Sequence, residues 1–544
     1  DPKNGGIICF VSNGASIDGN STDGFRKSIE DEFSSIYVFN LRGNQRTSGE
    51  LSRREGGKIF GSGSRTPIAI TLLVKKPNYS GKAKIHYYEV EDYLTREAKL
   101  NLTKQFGSIA NMPWQTLMPN EHGDWINHRN DSFSEFIPLA PEKKFDGKTK
   151  SFFTTYAIGV ATNRDAWVYN FSKEKVNQNM MRMIDFYNEQ TTAFQDAVLD
   201  NPKLKVEDFI DNDPTKIAWT VNLKKELEKE NIFEKSGETL TGTYRPFCKQ
   251  HLYFDTRLIE RPGLSRRLFP LPQTKNLVIC VSGLGGNKSH STLISNSIVD
   301  LNSLEAGAQC FPLYWYEERQ QNNPTLFDAV SEPEESMFAR RDGISDFILT
   351  RARSMYGNMT KKEDVFYYVY GILHSPDYRE TFSADLKKMF PRLPLVENAT
   401  DFWKFVKAGR QLAELHLNYE NYEKPKGVVV TYDTGVTVDY EVVKMRFPKK
   451  GKTDTIIYNN QITIENIPAE AYEYVVNGKS AIEWIMERYQ ITTHKASGIV
   501  NNPNDWATEN NDPKYILNLL LSVINISIQT VEIVKGLPEV EFGE

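Results

Sequence analysis

The chain has 544 residues, of which 39% are hydrophobic and 12% aromatic, and its formal net charge is −5. This apolar content excludes a disordered protein, and the length exceeds what one compact core usually holds, so we expect two or three domains. The acidic balance excludes a uniformly cationic nucleic-acid binder, although local basic patches can still bind phosphate.

Cysteine usage bears on the cellular compartment. Cys9, Cys248, Cys280 and Cys310 are far apart and form no Cys-x-x-Cys pair. This pattern predicts reduced thiols, buried as small hydrophobic side chains, in a cytoplasmic protein. We find no signal peptide and no uninterrupted apolar span of ~18 residues, so we expect no membrane partner. The sequence begins at Asp1 and enters a strand pattern within six residues, which suggests a fragment of a longer chain.

Residues 1–90 have the pattern of an α/β sheet. Apolar runs typical of strands occupy residues 7–11, 36–41, 68–74 and 84–90. Continuous runs of this kind predict strands buried within a sheet. Phe25, Ile29 and Phe33 recur at helical spacing between the first two runs, which predicts a crossover helix.

A basic, glycine-rich segment follows the second apolar run, between residues 42 and 76. Within it, Phe60 lies on a loop of small and basic residues, where its ring could stack on an unstacked base while arginines hold phosphates. The alternative is that Phe60 caps the hydrophobic core and that the charges belong to a solvated loop. The candidate phosphate-binding residues are Arg42, Arg46, Arg53, Arg54, Lys58 and Arg65.

Residues 91–150 are typical of a connector, because one helical stretch is followed by polar sequence interrupted by proline and glycine. The polar part contains His122, Asp124, His128 and Asp131. Their spacing matches no metal-binding motif, so we predict no metal site.

A second basic stretch lies between residues 241 and 315, where aromatic and basic residues alternate. Its positive charges are concentrated enough for phosphate binding, and the alternative is the solvated rim of a β-rich domain. The candidate DNA-binding residues here are Arg245, Lys249, Arg257, Arg261, Arg266 and Arg267.

A glycine-rich loop, Ser-Gly-Leu-Gly-Gly-Asn-Lys-Ser, begins at Ser282 directly after an apolar run. A nucleotide-binding P-loop needs Gly, four residues, then Gly-Lys-Ser or Gly-Lys-Thr, and both glycine positions fail here, so we exclude that function. The loop could instead approach a DNA groove, with Asn287 pairing with adenine and Lys288 with guanine or phosphate. Ser282, Asn287, Lys288 and His290 therefore join the candidate DNA-binding residues.

The remaining sequence is helical and then β-rich. Helical patterns fill much of residues 345–417, and His374 and His416 within them are interpreted as structural, because no nucleophile or paired carboxylate accompanies either. A final amphipathic helix is predicted at residues 513–534. The strands of a predicted β-meander are residues 428–431, 436–447, 455–459 and 461–464.

Several phrases carry a family resemblance. VSNGASIDGNSTDGFRKSIEDEFSSIYVFNLRGNQRTSGE, followed by GGKIFGSGSRTPIAITLLVKK, resembles the part of a gamma-class adenine-N6 DNA methyltransferase that follows its catalytic Asn-Pro-Pro-Tyr motif. The likeness is greatest to the Type ISP single-chain restriction–modification enzymes. YGILHSPDYRETF, FPRLP and GRQLAELH resemble the C-terminal region of the same family.

The resemblance implies a fold and a partner. It implies a partial Rossmann-like methyltransferase sheet (α/β) in residues 1–90, a connector at 91–150 and a large α+β target recognition domain at 151–544. Double-stranded DNA would be the partner, and Phe60 would stack on a flipped adenine. The alternative is a non-catalytic DNA-binding specificity module.

The resemblance also implies groups that this sequence lacks. The Asn-Pro-Pro-Tyr motif and the Gly-rich loop for S-adenosylmethionine, the methyl donor, do not occur in it. We expect both upstream of Asp1 and assign no catalytic residue to this chain. ATP and Mg²⁺ would be used by nuclease and motor portions, which together with the rest of the methyltransferase would be the other partners of these residues.

Overall fold

The computed structural model describes residues 4–47, 49–61, 64–146, 148–319, 337–433, 435, 437–540 and 542. The described chain is a mixed α/β protein with several small sheets packed against helices. Two small apolar clusters lie on the first sheet, and two large clusters hold most of the buried residues that follow residue 130.

The predicted apolar runs near the start are confirmed as strands. The strands are β1 Gly6–Asn13, β2 Ser35–Arg42, β3 Ile68–Lys75 and β4 Lys84–Glu89, joined by β5 Gln115–Leu117. They form one sheet in the order β1-β3-β2-β4-β5. β3 is antiparallel to both β1 and β2, and β2 is parallel to β4, so β1, β2 and β4 run in the same direction.

The helices of this region flank the sheet. They are α1 Ala15–Asp18, α2 Asp23–Glu32, α3 Gly49–Glu55 and α4 Arg96–Phe106. The predicted crossover helix is α2, but its buried face differs from the prediction, because Phe25 is exposed and Arg26 is fully buried. α4 begins where Thr95 Oγ1 accepts a hydrogen bond from the Ala98 N–H, a standard N-cap.

β1 departs from the prediction of a buried strand. Ile7 is 69% exposed and Ile8 is 52% exposed, because β1 lies at the edge of the sheet and, among the described strands, pairs with β3 alone. Cys9 on this strand is exposed too, contrary to the expectation of burial, whereas the other three cysteines are buried. All four thiols are free.

The described residues between 132 and 319 contain ten strands, eight of which form two further sheets. The strands are β6 Ile137–Pro138, β7 Ala157–Ile158, β8 Tyr169–Asn170, β9 Glu238–Arg245, β10 Cys248–Phe254, β11 Val278–Val281, β12 Thr292–Ser295, β13 Ile298–Val299, β14 Gln309–Pro312 and β15 Tyr314–Glu318. The orders are β13-β9-β10-β8 and β12-β11-β14-β7. The helices are α5 Ser132–Glu135, α6 Asp165–Val168, α7 Lys173–Asp200, α8 Val206–Phe209, α9 Val221–Glu228 and α10 Ser265–Leu268.

A helical layer packs behind the second of these sheets. After β16 Phe338–Asp342 it contains α11 Asp346–Tyr356, α12 Lys362–Ile372, α13 Pro376–Thr381, α14 Ser383–Lys388, β17 Arg392–Leu393 and α15 Ala399–Leu417. α12 crosses α15 at two glycines, where a Cβ on Gly409 would lie 1.9 Å from the Tyr367 carbonyl oxygen. Only glycine permits helices to approach this closely.

The C-terminal part is a small sheet supported by a long helix. Its elements are β18 Val429–Tyr432, β19 Ile456–Ile457, β20 Ile462–Glu465, β21 Val475–Val476, β22 Lys479–Ser480, α16 Ala481–Arg488, β23 Thr492–Thr493, β24 Val500–Asn501, α17 Pro503–Glu509 and α18 Tyr515–Lys535. The predicted strand at residues 436–447 is wrong, since residues 437–447 contain no strand; Val436 lies outside the described residues. By length and composition α18 could cross a membrane, but 67% of its apolar window is buried in the protein, as in a core helix.

Candidate nucleic-acid interface

A cleft of about 290 Å³ opens at the carboxyl ends of β1, β2 and β4. One wall comes from the sheet and includes Asn40, Asn44 and Glu89, and the opposite wall is the glycine-rich loop at residues 285–287. In α/β sheets this edge is the usual position for ligands, because neighbouring strands with the same direction present their following loops together. The cleft therefore combines two segments that the sequence analysis selected separately.

One hydrogen bond joins the two walls directly. Asn44 Nδ2 donates to Asn287 Oδ1 at 3.0 Å. Asn44 is positioned by Glu55, whose Oε2 accepts from the Asn44 backbone N–H at 2.9 Å. The next residue of the loop is fixed by its backbone, because the Lys288 N–H donates to Glu305 Oε2 at 2.6 Å. Both amides are thus held in place at the mouth of the cleft.

Arg42 ends β2 with a left-handed backbone (φ 56°) that turns the chain into the basic loop. Its guanidinium forms ion pairs with Asp92, Glu89 and Glu55, so it is surrounded by carboxylates. Hydrogen bonds from Arg54 and Arg42 lower the pKa of Asp92 below its ordinary value. Both guanidinium groups form ion pairs with Asp92. Contacts of Arg42 and Arg54 with phosphate remain predictions.

Phe60 lies on the loop that follows α3, next to the buried Ile59, and its ring is 48% exposed. It is not among the residues that line the cleft. Two α4 side chains that sequence reasoning missed hold this loop: Arg96 Nε donates to the Ile59 carbonyl at 2.7 Å, and Lys99 Nζ donates to the Gly57 carbonyl at 2.9 Å. Burial lowers the pKa of Lys99 to about 8.

Glycine is the sequence signal that could have revealed this contact. A Cβ on Gly56 would lie 2.2 Å from the Leu94 carbonyl oxygen, and one on Gly57 would lie 2.4 Å from the Arg96 nitrogen. The Gly-Gly pair therefore lets the loop lie against the start of α4, which orients the segment bearing Phe60.

The second basic stretch is not a continuous field of free positive charge. Arg245 pairs with Asp300 at 2.6 Å, Lys249 with Glu420, Arg257 with Asp255 at 2.7 Å, and Arg266 with Glu238 at 2.8 Å. Much of this stretch is therefore consistent with the alternative, the rim of a β-rich domain, with its cations paired to carboxylates. Within the described ranges, no carboxylate pairs with the candidate residues Arg46, Lys58, Arg65, Arg261 and Arg267.

The other candidates lie on the glycine-rich loop, which Ser282 closes, its Oγ accepting from the Ser291 N–H at 3.0 Å. Burial lowers the pKa of Lys288, with Glu305 acting in the opposite direction. His290 is 8% exposed and faces away from solvent. It is better placed for an internal site than for contact with a DNA groove.

A buried charge network fixes the sheet against the rest of the molecule. Asp124 is fully buried and accepts from Arg129 Nε at 2.8 Å, while Lys388 Nζ lies 3.0 Å and Arg26 Nη2 lies 3.8 Å from its carboxylate. Lys388 also pairs with Asp18 at 3.2 Å. Burial opposes ionisation of Asp124, but hydrogen bonds from Arg129 and Lys388 hold its pKa well below the ordinary value. The network joins α1 and α2, the connector and α14.

Asp124 therefore does not form a candidate metal site with His122 and His128, its neighbours in sequence. Glu121, His122 and Asp131 do bring one ligand atom each within 4.8 Å of one another, but Glu121 and Asp131 are exposed. Surface acids commonly form such groups without binding an ion, and nothing in the described residues adds a further ligand.

Comparisons with known proteins identify the family of this chain. The family model described as the Type ISP C-terminal specificity domain matches residues 151–519. A search of curated protein sequences found no match. Among solved structures, the chain is similar to a nuclease-deletion mutant of the Type ISP restriction–modification enzyme LlaGI in complex with a DNA substrate mimic, with 43% identity, a TM-score of 0.84, and coverage of 99% of this chain and 47% of that one.

Two further structures are similar over the same length. The ATP-dependent Type ISP enzyme LlaBIII bound to DNA has 39% identity and a TM-score of 0.84, with coverage of 99% of this chain and 33% of that one. A DrdV–DNA complex has 27% identity and a TM-score of 0.80, with coverage of 99% and 51%. The chain thus spans between a third and about half of each relative. It belongs to the Type ISP restriction–modification family, with the C-terminal specificity domain of that family in residues 151–519.

Proposed function

We propose that this chain reads a specific asymmetric duplex sequence and supplies the rear half of an adenine-N6 DNA methyltransferase. The observation that carries the proposal is the contact between Asn44 and Asn287 across the cleft. It brings the specificity domain to the edge of the sheet at which an α/β enzyme binds its substrate. DNA bound by the domain would therefore lie over the cleft.

The amides at the cleft suit base recognition. Asparagine can pair with both N6 and N7 of adenine in the major groove, which discriminates against a wrong base by about 1–3 kcal/mol. Asn287 presents such an amide on a loop that its neighbours fix. Arg46, Arg65, Arg261 and Arg267 would hold phosphates and set the register of the duplex.

Phe60 is proposed to stack on the adenine after it leaves the duplex. Extruding a base costs a few kcal/mol, and stacking on an aromatic side chain returns about 1–3 kcal/mol. The half-exposed ring and the anchoring of its loop by Arg96 and Lys99 support this role.

The methyl donor and the motor cofactors belong to residues other than these. The cleft contains no Asn-Pro-Pro-Tyr segment and the sequence has none, so these residues alone do not fit S-adenosylmethionine, and we derive no step through it. The exposed apolar edge of β1 is where a further strand of the methyltransferase sheet would pair. ATP and Mg²⁺ would serve nuclease and motor portions of the enzyme.

The absence of Asn-Pro-Pro-Tyr from the sequence also favours a second candidate, a specificity module that binds DNA without methylating it. The two candidates share the same recognition surface. They differ in whether the complete protein transfers a labelled methyl group to the DNA that it selects.

The test is selection of bound duplexes from a random library at about 150 mM salt, where nonspecific phosphate contacts are weakened. Enrichment of one short asymmetric sequence containing an adenine supports recognition, and Asn287→Ala should then relax the preference at one position. Binding that is blind to sequence and disappears with salt would refute it. Methyl transfer to the enriched adenine, reduced by Phe60→Ala, would decide for the methyltransferase.

A further inference from the structure

A second and larger cavity, of about 570 Å³, lies behind the glycine-rich loop. Its walls come from that loop, from α13 and α14, from the turn at β21 and from the end of α18. The loop is fixed to this side by two hydrogen bonds: the Gly285 N–H donates to the Lys387 carbonyl at 3.0 Å, and Arg379 Nη2 donates to the His290 carbonyl at 2.8 Å. A cavity of this volume has the size of a small-molecule site.

Two buried polar side chains on its walls lack partners. His290 is 8% exposed, and neither ring nitrogen has a hydrogen-bond partner among the described residues. Tyr474 is 7% exposed, and its hydroxyl is likewise without one in that part of the chain. An unpaired buried polar group costs about 1–3 kcal/mol, so both residues would gain hydrogen bonds if their side chains, which are closed to solvent here, turned toward a ligand in the cavity.

The charge on the cavity wall is positive. Arg379 has no carboxylate within ion-pair distance in the described ranges, whereas Lys535 is neutralised by Glu473 at 2.9 Å. Of the other charged residues on the wall, Lys387 is half-buried and Glu380 is exposed. The two histidines add no charge, because burial lowers the pKa of His290 and of His374 to about 3. Arg379 and Lys387 are therefore the cations that a ligand would meet, and Arg379 is the one with a planar guanidinium.

The rest of the lining is apolar, with Pro376, Val475, Val531 and Val534 on the walls. We propose that this cavity binds a small organic anion, a carboxylate or phosphate monoester with an apolar body. The anionic group would pair with Arg379, and His290 and Tyr474 would supply the neutral hydrogen bonds. Arginine is the side chain best suited to planar, bidentate contact with both anions.

The test is calorimetric titration of the complete protein with benzoate, phenyl phosphate and uncharged benzamide. We expect saturable binding of at least one anion at one site, and none of benzamide at the same concentration. Arg379→Gln should weaken the anion at least tenfold, and Tyr474→Phe, which removes only the unpaired hydroxyl, several-fold. The matched control is Arg351→Gln, which removes an exposed arginine outside the cavity and should change nothing.

Three outcomes would overturn the proposal. The first is no saturable binding of either anion up to about 10 mM, which corresponds to an affinity too weak for a built site. The second is equal binding to the wild type and to Tyr474→Phe, which remains informative if Arg379→Gln does not fold. The third is that Arg379→Gln lowers DNA affinity and reduces the salt dependence by about one phosphate while no small anion binds, because Arg379 would then be a DNA contact.

Discussion

Replacing Asp124 with asparagine tests the charge network that joins the sheet to the specificity domain. The substitution keeps the shape of the side chain and removes its charge. Lys388 would then keep Asp18 as its ion-pair partner, whereas Arg26 and Arg129 would have no carboxylate within ion-pair distance in the described part of the chain. Arg26, Lys388 and Asp124 are each less than 5% exposed, so water cannot replace the lost interaction.

The expected cost follows from this burial. Removing one partner of a buried ion pair typically destabilises a protein by about 3–5 kcal/mol, because the other charge stays desolvated. With an unfolding slope of about 3 kcal/mol per M urea, the midpoint should fall by roughly 1 to 2 M. The lowered pKa of Asp124 also predicts a pH dependence. The stabilisation by its carboxylate is present above the ordinary carboxyl pKa and is lost as the pH falls through the lower pKa of the folded protein.

The assay is urea unfolding of the wild type, Asp124→Asn and a control, Asp131→Asn. Asp131 is 85% exposed, and its nearest ion-pair partner in the described chain is His122 at 3.9 Å. The control should unfold within about 0.5 kcal/mol of the wild type, as surface substitutions usually do. If Asp124→Asn behaves like the control, the network does not hold the two parts together.

Four further outcomes are expected. Asn287→Ala should reduce affinity for the selected duplex by about 5- to 150-fold without changing the salt slope, and an equal loss of affinity for random DNA would contradict this. Arg267→Gln should lower the salt slope by about one. In urea titrations, the wild type should lose about 2 kcal/mol more than His374→Gln between about pH 7.5 and pH 5, because the unfolded histidine binds a proton that the folded one, with its pKa lowered to about 3 by burial, does not. Parallel pH curves for the two proteins would contradict that. Residues 1–544 expressed alone should be poorly soluble, and Ile8→Lys should raise the soluble fraction by placing a charge on the open edge strand; unchanged sedimentation would argue against edge pairing as the cause.

Local patterns predicted most of the elements, and tertiary partners account for what they missed. The apolar runs of β1 to β4 and the final helix, α18, are where periodicity placed them. Periodicity records which residues avoid water but not which neighbour covers them. For this reason β1 was predicted to be buried, although it lies at the edge of the sheet. For the same reason a strand was predicted near residue 440, where the apolar residues pack without strand geometry.

The candidate site was predictable in its segments and not in its charges. The sequence selected both walls of the cleft, Asn287 among them, but the contact with Asn44 joins residues far apart in the chain. Counting positive charges overestimated the free positive charge of the second basic stretch. The carboxylates that neutralise Arg245 and Lys249 belong to Asp300 and Glu420, which lie in other elements. Asp124 was missed for the same reason, since in sequence it resembles any acid of a polar loop.

The Asp124 network also bears on how new specificities could be made. Its members come from three segments, so an exchange of residues 151–544 between relatives would keep Asp18 and Asp124 but replace the lysine at position 388. A donor domain with a neutral or acidic residue there would leave Asp18 without its ion-pair partner and Asp124 with Arg26 and Arg129 alone. The network would then no longer fix the orientation of the donor domain against the sheet. Productive chimeras should therefore be restricted to donors that restore a cation at this position, whatever DNA sequence they read.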